Sequence, residues 1–291
     1  MGGGNATGEA RPERFSRRET LALIGAAALA PVPGTARADE PVLAIEDAEF
    51  AAPDGVILRG AVYRQADEAP RAAVTIVHGA GQNPSRYEDW GRIYASAGFA
   101  ALIYDKRGCG QSGGEYVGNS NTAAANLVRL AGDAVAAAAW LRSQSFASGI
   151  VSGFAGPSQA GWIIPPAALL TGADFMLLLS GPVCTTSQSQ EFEAQGADGP
   201  LRYARFLREE SETDPLPVLR QLDIPGFWIF GGKDRNVPVD ICVRNLDALI
   251  AGGRPYQYHI DPDAGHFQGS AAHQRAIAWL EERFPALAKA N

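Results

Sequence analysis

From residue 72 to the end of the chain, short apolar runs alternate with helix-length stretches, and this alternation restricts the fold more than any other feature. Runs near 72–78, 99–104, 149–154, 174–180, 226–231 and 256–260 read as strands. Phe175-Met176-Leu177-Leu178-Leu179 is typical: it is apolar at every position, so both its faces must be buried. Stretches near 86–97, 122–142, 158–170, 239–251 and 270–283 read as helices. Such alternation gives a parallel sheet, because each strand needs a crossover to bring the chain back to the same end. Two further strands, near 42–50 and 56–64, are joined by a turn at Pro53-Asp54-Gly55 and should form an antiparallel pair at the edge. The expected class is α/β, a mostly parallel eight-stranded sheet with helices on both faces. The rhythm breaks between residues 181 and 225, a gap too long for a simple connection. Its middle, 201–212, can form a helix with Tyr203, Phe206 and Leu207 on or near one face.

Gly153-Phe154-Ala155-Gly156-Pro157-Ser158-Gln159-Ala160-Gly161-Trp162 reads as strand, sharp turn and helix start, with Ser158 at the tip. A serine so held has a strained backbone and an exposed hydroxyl at the top of the sheet. Small residues must flank it, since helix and strand pack closely there. Gly156 and Gly161 supply them, and Ala160 stands where a second glycine is usual.

Three more fragments follow the same logic. The run over 72–77 ends in His78-Gly79-Ala80-Gly81, whose glycines let an amide N–H face a reacting carbonyl. The expected oxyanion donors are the N–H groups of Ala80 and of Gln159, the residue after the serine. His78 is expected to brace this loop by hydrogen bonding. Asp234 lies just past the strand over 226–230, where an acid can reach back over the sheet, and His266 lies in the loop before the last helix. Each fragment alone could be structural. Together they give Ser158, Asp234 and His266 in an order that suits nucleophile, acid and base. Asp240, Asp261 and Asp263 are the alternative acids.

With these fragments the chain resembles the α/β-hydrolase superfamily over about residues 42–285. The Ser-Gln-small-Gly-Trp elbow is similar to that of bacterial esterases and serine-aminopeptidase-like branches. Tyr104-Asp105-Lys106-Arg107-Gly108-Cys109-Gly110-Gln111-Ser112-Gly113 resembles a loop that follows the fourth strand in these proteins. There Asp105 and Arg107 are expected to pair, with Asp133 as a further partner. The resemblance also implies that the insertion at about 182–216 is a small cap over the site; the plainer alternative is a surface helix packed on the sheet.

The first 38 residues are set apart from the fold. Ser16-Arg17-Arg18-Glu19-Thr20-Leu21 resembles a twin-arginine export signal, the apolar stretch 21–30 is too short to span a membrane, and Ala36-Arg37-Ala38 suits signal cleavage. This predicts a periplasmic or secreted domain over 39–291, without a stable membrane anchor. The net charge of −7 disfavours a nucleic-acid partner. Cys109, Cys184 and Cys242 are too few and scattered for a disulfide framework, and no metal or cofactor motif is present, so none is expected.

The leading expectation is an exported serine hydrolase acting on small carboxylic esters. A serine aminopeptidase or amidase is the second reading. It would need a fixed carboxylate for the substrate's ammonium, for which Glu191, Glu193, Glu209, Glu210, Glu212 and Asp214 are candidates. A non-catalytic ligand-binding protein is the third.

Overall fold

In a computed structural model, which describes residues 40–81, 88–116, 124–195, 212–267 and 269–287, the first two strands form the expected hairpin. Strands β1 (Leu43–Ala51) and β2 (Ile57–Gln65) pair antiparallel, Ala51 opposite Ile57. The turn closes through Gly55 N–H to Ala52 O at 2.9 Å, with Gly55 at φ 84°. The remaining strands are β3 (Ala72–Ile76), β4 (Phe99–Tyr104), β5 (Val151–Pro157), β6 (Met176–Leu179), β7 (Gly226–Gly231) and β8 (Tyr256–Asp261). They form one eight-stranded sheet in the order β1-β2-β4-β3-β5-β6-β7-β8. From β4 to β8 every neighbouring pair is parallel; β2 meets β4 antiparallel.

The helices are α1 (Glu88–Ser96), α2 (Ala124–Ser143), α3 (Ala160–Thr171), α4 (Thr186–Gln195), α5 (Leu216–Leu219), α6 (Val239–Ala251) and α7 (Ser270–Arg283). All but α4 divide between the two faces as strand alternation demands. Leu102, Tyr104, Trp228 and Phe230 pack with α2, α3 and α6 through Leu130, Ile163 and Leu246. Their strand neighbours Ala101, Ile103, Phe227 and Ile229 pack with α1 and α7 through Tyr94, Ala276 and Leu280. Glu40–Asn291 form one compact unit. The segment expected to direct export, residues 1–38, and nearly all of the helix expected over 201–212 lie outside the described residues. Within the insertion the described part is α4, which the sequence reading did not contain, and α5. No helix among the described residues is long and apolar enough to cross a membrane.

Candidate active site

Because β5, β6, β7 and β8 are parallel neighbours, the segments leaving them emerge at one edge of the sheet. Ser158 follows β5, Asp234 lies three residues past β7, and His266 lies five past β8. Adjacent strands are about 4.8 Å apart, so the β5 and β7 exits, separated only by β6, lie about 10 Å apart.

Ser158 has φ 52°, a left-handed conformation that few non-glycine residues adopt. Its backbone is held on both sides: its N–H donates to Leu179 O at 3.0 Å, and Gly161 N–H donates to its carbonyl at 2.8 Å. The need for small neighbours is visible in the packing. A Cβ on Gly156 would lie 2.4 Å from Val77 O and 2.5 Å from Ala160 Cβ, and one on Gly161 would lie 2.6 Å from Pro182 Cδ. Ala160 therefore takes the space that Gly156 leaves open.

Asp234 and His266 meet. His266 Nδ1 lies 2.9 Å from Asp234 Oδ2 and 3.1 Å from Oδ1. The carboxylate is itself fixed, since Oδ1 accepts the backbone N–H groups of Asn236 at 2.8 Å and Val237 at 3.0 Å. The Asp234 side chain is fully buried and that of His266 is 10% exposed. An ionised carboxylate only accepts, so Nδ1 carries the proton and Nε2 is left as an acceptor. No hydrogen bond joins the Ser158 hydroxyl to His266 among the described contacts; such bonds are often long before substrate binds. Among the described contacts none of the alternative acids bonds His266. Asp240 is exposed, Asp261 accepts from Asp263 N–H, and Asp263 pairs with Lys233.

The loop carrying Ala80 is braced from below. His78 Nδ1 donates to Gly79 O at 2.9 Å, and its Nε2 accepts from Lys106 N–H at 3.3 Å. That pattern requires a neutral ring; burial and, after it, the Lys106 charge hold His78 well below the ordinary imidazole range. Gly81 N–H donates to Tyr116 Oη at 2.9 Å. Ala80 itself is exposed, and Gln159 is buried at the head of α3.

Lys106, to which the sequence reading gave no role, is fully buried against this loop. Its Nζ donates to Gln159 Oε1 at 2.7 Å and to Gly79 O at 3.2 Å. Burial brings its ammonium down to about 7. A lysine just after a strand end is ordinarily exposed, and no local pattern distinguishes this one. Cys109, two residues before Gln111 in the same loop, has its thiol pushed up to about 11 by burial, which suits a structural residue.

The expected Asp105–Arg107 pair does not form. Arg107 instead bonds Asp133 through Nε at 2.9 Å and Nη2 at 2.5 Å, and Asp54 through Nη1 at 2.7 Å and Nη2 at 3.2 Å. Asp105 turns into its own loop, where Oδ2 accepts Gln111 N–H at 2.6 Å and fills the place a Gly110 Cβ would take. Two planar forks from different segments satisfy the guanidinium better than one carboxylate two residues away. The hydrogen bonds with Asp133 hold Arg107 in its charged form, while burial pushes the Asp133 carboxyl up against that pull. The pair links the loop after β4 to α2 and, through Asp54, to the hairpin turn.

The insertion reaches the site through α4. Ser189 Oγ donates to Asn236 O at 3.2 Å and Asn236 Nδ2 donates to Glu193 Oε1 at 3.1 Å, next to Asp234. Among the candidate cap carboxylates, Glu193 is exposed, Glu191 accepts from Gln195, and Asp214 accepts from Leu216 N–H. Glu212 is half-buried; Glu209 and Glu210 lie outside the described residues. The described residues hold no group of three or more His, Cys, Asp or Glu that could hold a metal ion. Cys184 and Cys242 are both buried as free thiols, and Cys242 Sγ accepts from Val183 N–H at 3.2 Å.

Residues 68–149 match the model of a family described as serine aminopeptidase, S33. No curated protein matches in sequence. An esterase from Pyrococcus furiosus has the same fold at a TM-score of 0.61 and 18% identity, over 84% of this chain and 89% of that one. A Paenibacillus acetyl xylan esterase gives 0.63 and 19%, over 86% of each chain. The acylaminoacyl peptidase of Pyrococcus horikoshii gives 0.63 and 16%, over 84% of this chain but 41% of its own. The chain has the α/β-hydrolase fold.

Proposed function

We propose that the protein is a serine hydrolase that cleaves small carboxylic esters through an acyl-enzyme. The observation that carries this reading is the hydrogen-bonded Asp234–His266 pair at the sheet edge where Ser158 sits at φ 52°. In the proposed reaction His266 Nε2 takes the Ser158 proton as Oγ attacks the acyl carbon. Asp234 holds the imidazole with its proton on Nδ1 and stabilises the imidazolium that forms. The N–H groups of Ala80 and Gln159 receive the oxyanion. The alkoxide leaves with the proton from His266, and water, deprotonated by the same nitrogen, frees the acid from Ser158.

Esters are favoured over peptides because alkoxide is the better leaving group. The described cap carboxylates also support it: none is buried, whereas a site for an ammonium group needs a fixed, desolvated partner. The experiment is to label the purified protein with a fluorophosphonate, locate the adduct, and compare kcat/KM for a short-chain nitrophenyl ester with aminoacyl nitroanilides. Labelling at Ser158 and higher values for the ester are expected. Absence of labelling would favour a non-catalytic binding role. Higher anilide values, lost on replacing one cap glutamate with glutamine, would favour an aminopeptidase.

Export is proposed from the sequence alone, on Ser16-Arg17-Arg18 ahead of a short apolar run and Ala36-Arg37-Ala38. Replacing Arg17 and Arg18 with lysine should abolish appearance of a mature chain beginning at Asp39 in the periplasm or medium. Unchanged export would make the arginine pair incidental.

A further inference from the structure

Lys106 is fully buried, yet among the described residues its ammonium makes no hydrogen bond to a carboxylate. Burying an ammonium against neutral oxygens is costly, and a side chain that serves only to fill space does so more cheaply as methionine or leucine. What its two acceptors have in common is the oxyanion site. Gly79 C=O and Ala80 N–H belong to one peptide unit, which is planar, so in the trans form the two groups point in opposite directions. Gly79 O is fixed from below by Lys106 Nζ at 3.2 Å and His78 Nδ1 at 2.9 Å. The Ala80 N–H is thereby aimed away from the buried lysine. The same Nζ takes Gln159 Oε1 at 2.7 Å and so ties down the residue that supplies the second N–H.

We propose that Lys106 is a positioning residue for the oxyanion site, a single ammonium that sets the peptide carrying the Ala80 N–H and anchors Gln159. The inference rests on the serine-hydrolase reading above. A second effect acts in the same direction: a donor on Gly79 O polarises that peptide and makes its N–H a stronger donor. Both contributions act on the transition state, where the oxyanion exists, and little on the bound ester.

The test is Lys106→Met, which keeps an unbranched side chain of similar length in an apolar setting and removes both hydrogen bonds. Loss of one oxyanion donor costs roughly 10²–10³ in kcat; loss of its alignment is expected to cost roughly 10–100-fold. KM for the nitrophenyl ester should move by less than about threefold. The affinity for phenylboronic acid, which forms a tetrahedral adduct on serine, should fall in parallel with kcat. A space-filling lysine would instead leave kcat and boronate affinity alone and change only the melting temperature. If Lys106→Met does not fold, Gln159→Met decides the matter: it removes one acceptor and should lower kcat at constant KM. Wild-type protein serves as the control. Failure of wild type to take the fluorophosphonate removes the hydrolase reading itself. Labelled, active wild type beside a folded Lys106→Met, or failing that a Gln159→Met, with unchanged kcat and boronate affinity overturns this inference alone.

Discussion

His266 Nδ1 lies within hydrogen-bond distance of both oxygens of Asp234, and one of those oxygens also takes two backbone N–H groups from the turn that follows. The carboxylate therefore has two separable jobs. Oδ1 shapes the Asp234–Val237 turn, and the carboxylate charge sets the proton on the imidazole.

Asp234→Asn separates them. The amide oxygen can still accept from Asn236 and Val237, so the melting temperature should hold within a few degrees. The amide NH₂ now faces Nδ1 and drives the proton to Nε2, which is the wrong tautomer for a base. A loss of roughly 10³–10⁴ in kcat is expected on the nitrophenyl ester. Full activity in a folded Asp234→Asn protein would remove Asp234 from the mechanism.

The elbow makes a prediction of a different kind. Gly156 has no room for a side chain, because backbone at Val77 and the Ala160 methyl occupy the place of its Cβ. Gly156→Ala must push β3 away from β5 or shift the start of α3. Overpacking of this order costs about 1–3 kcal/mol, and two to four degrees accompany each kcal/mol in a domain of this size. A fall in melting temperature of about 2–12 °C is expected, with reduced fluorophosphonate labelling of the protein that stays folded. A melt that superimposes on wild type would mean the contact is easily relieved.

Much of this was legible in the sequence for one reason: buried parallel strands carry unbroken apolar runs, and the helices between them stand out by contrast. Phe99–Tyr104, Gly226–Gly231, Val239–Ala251 and Ser270–Arg283 have the bounds that pattern implies. The fragments around Ser158, Asp234 and His266 were legible because each sits directly beyond a strand, and parallel order alone brings strand ends together. The choice of partner within a loop was not. Arg107 chose Asp133 and Asp54 over Asp105 because the loop after β4 turns tightly around Gly110 and takes Asp105 with it, a matter of backbone path that residue types two apart do not reveal. Lys106 was invisible for the same reason: its burial is fixed by His78, Gly79 and Gln159, which come from two other parts of the chain.

The Arg107 cluster predicts unequal effects from its two carboxylates. Asp133 has a fully buried side chain and takes two of the guanidinium bonds, whereas the Asp54 side chain is half exposed on the hairpin turn. Asp133→Ala leaves a buried cation short of its main partner and should destabilise the fold by about 3–5 kcal/mol. Asp54→Asn keeps an acceptor in contact with water and should leave the urea midpoint close to wild type. Equal losses from both variants would show that the cluster acts as one surface network.

The last prediction concerns acid. His273 on α7 is 2% exposed, packs edge-on against Trp90 with ring centroids 4.2 Å apart, and leaves Nδ1 without a hydrogen-bond partner. Burial lowers it from 6.5 to about 4. Between those values the unfolded chain binds a proton at this residue that the folded protein does not, so folding stability rises with pH across the window and is lost as pH falls from 6.5 towards 4. Below about 4 both states are protonated and the loss is complete. A shift of this size corresponds to about 3 kcal/mol. His273→Phe removes the titration while keeping an aromatic ring against Trp90 and Tyr94. Urea midpoints taken from pH 7 to pH 4 should fall less steeply for the variant, with the two curves diverging through this window whatever their offset at pH 7. Curves that stay parallel throughout would assign the acid sensitivity of the protein to other groups.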